Sequence, residues 1–100
     1  MAKINSKNND FLSLAKEDTS PKIYPLLVEL VNSDREDLAK LIKKIDYLLS
    51  YTSSAIKAKD YNEAKVSIQA VEDRIKVLED EGIDIEYIKY LYEGIKKKIK

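Results

Sequence analysis

The stretch SDREDLAKLIKKIDYLLSYTSSAIKA, residues 33–58, decides the fold. Along it Leu38, Ile42, Ile45, Leu49, Thr52 and Ile56 recur in alternating steps of four and three, with Leu41, Leu48 and Ala55 widening the stripe. This is the pattern of a helix with a broad core-facing surface, not the narrow seam of a coiled coil. Ser33 and Glu36 have the spacing of a capping box, which predicts a helix starting at Asp34. Neither proline nor glycine interrupts the run, so about twenty-five residues at 1.5 Å each make a rod of roughly 37 Å. A rod with so wide an apolar face needs other helices beside it.

Upstream, Ile23, Leu26, Leu27, Leu30 and Val31 form a short apolar face. Pro25 lacks an N–H and disfavours helical geometry at Tyr24, so the regular part is expected to begin near Pro25 and to stop at Asn32-Ser33. Downstream, Asp60 and Glu63 repeat the capping-box spacing after almost no connector. Tyr61, Ala64, Ile68, Val71, Ile75 and Leu78 then carry a second helical stripe, and Gly82 is the natural stop, free to take the left-handed conformation. Asp84 is placed to cap a last helix, with Ile83 and Ile88 as a hydrophobic staple and Ile85, Ile88, Leu91, Tyr92, Ile95 and Ile99 as its inner face. Gly94, inside that helix, implies either the close approach of a neighbour or a bend.

The fold class expected is therefore all-α: a small antiparallel helical bundle of three long helices, over 34–58, 61–81 and 85–99, plus one short N-terminal helix near 24–32. Residues 1–20 read as a flexible arm rich in Lys, Asn and Ser, and 21–100 as a single helical-bundle domain. One hundred residues hold one modest core.

Composition removes most chemistries. Histidine and cysteine are both absent, which excludes imidazole bases, thiol nucleophiles, thiolate zinc sites and disulfides. Glycine occurs only at Gly82 and Gly94, so no phosphate-cradling loop can be built. Glu79, Asp80, Glu81, Asp84 and Glu86 crowd around Gly82, but without the ligand series of a calcium loop; capping and a solvated acidic rim account for them. No enzyme activity, cofactor or metal is expected. Lysine plus arginine and aspartate plus glutamate both number 18, so no net field recommends a polyanion or a membrane. No apolar run reaches the length of a span and Met1–Asp10 lacks a signal-peptide core, which makes a cytoplasmic protein the expectation. The bias to Ile, Lys, Glu and Tyr, with Gln69 as the one glutamine, is thermophile-like, and an AT-rich genome produces the same usage.

The segment Lys59-Asp60-Tyr61-Asn62-Glu63-Ala64 resembles the turn of tetratricopeptide and microtubule-interacting-and-transport helical hairpins, in which Asp-Tyr-x-x-Ala recurs. The resemblance covers that turn alone; it implies a helical hairpin of the kind that binds peptides or other helices.

Function is expected to lie on a surface. Lys40, Lys44, Tyr47 and Tyr51 follow one another at four, three and four residues, a stripe of cations and aromatics facing away from the main apolar one. Outward tyrosines are interface material unless segment 25–31 covers them. Phe11 and Leu12, in the apolar island of the arm, are the second expected contact. Together they point to a non-catalytic accessory or adaptor subunit docking on a larger protein, with pairing of tyrosines in a homodimer as a further route. The alternative is a nucleic-acid-associated regulator using Tyr87, Tyr90, Lys96, Lys97, Lys98 and Lys100 for stacking and phosphate contact. Arg35 and Arg74 are the only arginines, which weakens that alternative.

Overall fold

A computed structural model describes residues 21–100, and among them the chain is all-helical, with four helices and no strand. They are α1 (Tyr24–Asn32), α2 (Glu36–Lys57), α3 (Tyr61–Asp80) and α4 (Glu86–Lys96). The chain divides into two compact units, one ending at Asp46 and one beginning at Tyr47, with the division inside α2.

In the first unit the buried side chains are Ile23, Leu27, Leu30 and Val31 from the α1 region and Leu38, Ala39, Ile42 and Ile45 from α2. α1 spans the range expected near 24–32, although Tyr24 precedes a proline. Tyr24 is helical, and Pro25 lies in the first turn, where its missing N–H deprives no carbonyl of a partner.

The second unit holds the remainder of α2 with α3 and α4. Its core is Leu49, Thr52 and Ala55 from α2, then Ala64, Ser67, Ile68, Val71, Ile75 and Leu78 from α3, then Ile85 and Ile88. Burial fades along α4. Leu91, Tyr92, Ile95 and Ile99, expected on its inner face, are only half-buried, and the helix ends at Lys96 instead of 99.

Three helices end in the same way. After α1 the Arg35 N–H reaches back to the Leu30 carbonyl at 2.8 Å and the Asp34 N–H to that of Val31 at 3.0 Å. After α2, Asp60 bonds Ala55 at 2.8 Å and Lys59 bonds Ile56 at 2.9 Å; after α3, Ile83 bonds Leu78 at 3.1 Å and Gly82 bonds Glu79 at 3.0 Å. Each is a Schellman motif, pairing carbonyls that a helix end otherwise leaves open, and each needs one left-handed residue. Those residues are Asp34 (φ 62°), Lys59 (φ 62°) and Gly82 (φ 74°). Gly82 takes the conformation freely, as its sequence position implied; lysine does so against a steric penalty.

The first of these turns corrects the capping box expected at Ser33. Ser33 closes α1 instead of opening α2: its hydroxyl donates to the Glu29 carbonyl at 3.0 Å. Asp34, in the left-handed region, is not the start of a helix, and α2 begins at Glu36 with Glu36 and Asp37 in its first turn. The Asp37 carboxylate takes a bidentate contact from Arg35, Nε to Oδ1 and Nη2 to Oδ2, both 3.1 Å.

At Gly94 a Cβ would meet nothing within 4 Å. No neighbour among the described residues explains that glycine.

Candidate aromatic interface

The turn between α2 and α3 builds the site. Asp60 caps α3 as expected, its Oδ1 accepting from the Glu63 N–H at 3.2 Å. The return half of the box is not made, because the Asp60 N–H is already given to the Ala55 carbonyl. Glu63 turns to α2 instead, and its Oε2 accepts from the Tyr51 hydroxyl at 2.7 Å.

That bond anchors an aromatic pair. The rings of Tyr47 and Tyr51 stack at 6.3 Å between centroids and 20° between planes. Tyr47 is 58% exposed and Tyr51 39%, so neither belongs to the core. Donation to Glu63, with burial and the carboxylate's charge adding to it, holds the Tyr51 phenol above its ordinary pKa. At neutral pH Tyr51 is therefore a fixed, uncharged ring with its donor spent. Lys40 and Lys44 are exposed on the part of α2 that belongs to the first unit, and Lys40 pairs with Glu36 at 3.5 Å. Phe11 and Leu12 lie outside the described residues.

Directly behind Tyr51, Thr52 and Ser67 form a buried hydroxyl pair. Their oxygens are 2.6 Å apart, with Thr52 Oγ1 at 2.7 Å from the Leu48 carbonyl and Ser67 Oγ at 3.2 Å from that of Ala64. Two protons serve three contacts, and the two short ones are filled if Ser67 donates to Thr52 and Thr52 to Leu48. Thr52 was legible as an inward position. Ser67 was not, although it lies three residues after Ala64 and four before Val71, on the buried stripe.

Tyr87 and Tyr90 form a second stacked pair on α4, at 6.4 Å and 25°, with Tyr90 73% exposed. Lys96 donates to the Tyr92 hydroxyl at 3.1 Å, and its Nζ is 5.4 Å from that ring's centroid, so it sits at the oxygen end instead of over the face. This bond raises the Lys96 pKa. Lys97 caps α4, and Lys98 and Lys100 follow it, exposed.

The acids near Gly82 do not converge: among the described residues no group of three or more could hold a metal ion. Glu79 accepts from Lys89 at 2.7 Å, which holds that ammonium's pKa up. Asp84 stays local, its Oδ1 accepting from the Glu86 N–H at 3.2 Å, while Ile85 occupies the cap position without a side-chain bond. No described helix is long and apolar enough to cross a membrane.

No protein-family model, curated protein sequence or solved structure matches this chain.

Proposed function

We propose that this protein is a non-catalytic, cytoplasmic accessory or adaptor subunit, a small antiparallel helical bundle that docks on a larger protein through Tyr47 and Tyr51, with Lys40 and Lys44 as further contacts. The observation that carries this reading is the Tyr51–Glu63 hydrogen bond at 2.7 Å beneath an exposed, stacked tyrosine pair. An aromatic surface held in one geometry before binding loses little rotamer freedom when it is covered. Both arginines are engaged within the chain, Arg35 with Asp37 and Arg74 with the Ala70 carbonyl at 2.9 Å, which favours a protein partner over a phosphate backbone. Phe11 and Leu12 supply a second contact in this reading.

The test is capture from native lysate with the full chain and with Tyr47→Ser/Tyr51→Ser. One stoichiometric protein retained through nuclease and high salt, and lost from the double variant at unchanged helicity and melting temperature, is expected. A set of partners released by nuclease or by salt would assign binding to nucleic acid through Tyr87, Tyr90 and lysines 96, 97, 98 and 100. A large fall in melting temperature would make the tyrosines structural. Deletion of residues 1–20 should weaken capture through loss of Phe11 and Leu12.

A further inference from the structure

Among the described residues nothing lies against Gly94, and the row it belongs to offers a partner from outside. Glu86, Tyr90, Gly94 and Lys98 follow at steps of four, one ridge along α4 and the turn that continues it. Tyr90 is the most exposed large apolar side chain among the described residues, at 73%. Beside it Leu91, Gly94, Ile95 and Lys98 line an open groove of about 240 Å³. Read in order, the ridge is acid, projecting ring, gap, base. Reversed and laid on itself, it matches: Tyr90 of one copy falls on Gly94 of the other, and the same register sets Glu86 opposite Lys98. Tyr87 then faces Lys97, a cation against an aromatic ring.

We propose that α4 is a self-recognition surface, on which a second copy of this chain packs antiparallel about a two-fold axis with each Tyr90 ring seated over the partner's Gly94. Charge complementarity selects a second copy as the occupant. The carboxylates at 79, 80, 81, 84 and 86 lie around the N-terminal end of α4 and lysines 96, 97, 98 and 100 around its C-terminal end, so antiparallel pairing sets opposite charges together at both ends while parallel pairing sets like against like. A two-fold axis makes every such contact twice. Glycine is what lets the ring approach the helix backbone, and a Cβ at 94 would stand where the ring lies. An eleven-residue helix is about 16 Å long. So small a contact gives a dimer that forms and dissociates readily, with a dissociation constant of about 10 μM to 1 mM.

The measurement is sedimentation equilibrium of the full chain from micromolar to millimolar concentration. The mean mass should rise from 11.5 kDa towards twice that value. Glu86→Lys should weaken the dimer about tenfold by setting lysine against lysine twice, and Glu86→Lys with Lys98→Glu should restore it. Gly94→Gln should abolish it while the far-ultraviolet helix signal holds or rises, because glutamine is the better helix former. A mass of 11.5 kDa throughout would overturn the proposal. So would a dimer that tolerates Gly94→Gln, or one that is lost only in Tyr47→Ser/Tyr51→Ser, which would move self-association to α2.

Discussion

Tyr51 shows how one hydrogen bond sets both the charge state and the pose of an exposed ring. Its phenol donates to Glu63, so the native state holds that proton more tightly than the unfolded chain does. The linked stability is fully present below the ordinary value of 10.0 and is lost as pH rises through the higher native value. Glu63→Gln removes the negative charge and should let Tyr51 ionise earlier, which a tyrosinate absorbance titration reads; an unchanged titration would dismiss Glu63 as the cause. Glu63→Ala, which leaves the Tyr51 hydroxyl without its acceptor and frees the ring, should weaken partner capture. Behind Tyr51, Thr52 and Ser67 test the hydroxyl chain. Thr52→Val and Ser67→Ala should each cost about 1 kcal/mol in urea denaturation, and the double variant less than their sum, because the second change no longer strands a buried hydroxyl. Strict additivity would mean that the 2.6 Å contact carries no energy of its own.

At the scale of elements, the helix ends hold the adjustable stability. Lys59 sits at φ 62° where glycine suits the geometry better, so Lys59→Gly should stabilise the fold by about 0.5–1 kcal/mol, the relief of left-handed strain less the added chain entropy. Gly82→Ala, at φ 74°, should cost about 1 kcal/mol, and Asp60→Ala, which strips the cap from α3, about 0.5–2 kcal/mol. Chemical denaturation orders the three. Lys59→Gly that destabilises would show the turn to be set by a contact of the lysine side chain. The existence of all four helices was legible in the sequence, because periodicity is a local property. Ser33 and Asp34 were misread for an equally local reason. A serine followed three residues later by glutamate suits the start of a helix, but it lies just as naturally where a preceding helix must satisfy its last carbonyls, and here the end of α1 takes precedence.

Over the whole molecule, burial is uneven. Six residues of α3 are buried, whereas α4 buries only Ile88 and leaves Leu91, Tyr92 and Ile95 half-covered. Amide hydrogen exchange should therefore be slowest in α3 and should quicken along α4 beyond Ile88. Equal protection through Lys96 would mean that α4 is covered in solution, and dilution would tell whether the cover is a second copy. Charge acts on the same scale. With 18 basic and 18 acidic residues the chain has no net field, so its electrostatics are those of local order, acids around the start of α4 and lysines at its end.

The sequence by itself determined the helical class, the inward stripes of α2 and α3, the left-handed stop at Gly82 and the exclusion of imidazole and thiol chemistry, since each depends on residue type and spacing over one or two turns. Only the tertiary structure decided that Glu63 leaves its own cap for Tyr51, that Ser67 meets Thr52 in the core, that Asp34 and Lys59 take left-handed turns without glycine, and that no described residue lies against Gly94. The hydroxyl and carboxylate partners stand twelve and fifteen residues apart, and a donor chooses among acceptors by distance in space, which spacing along the chain does not specify.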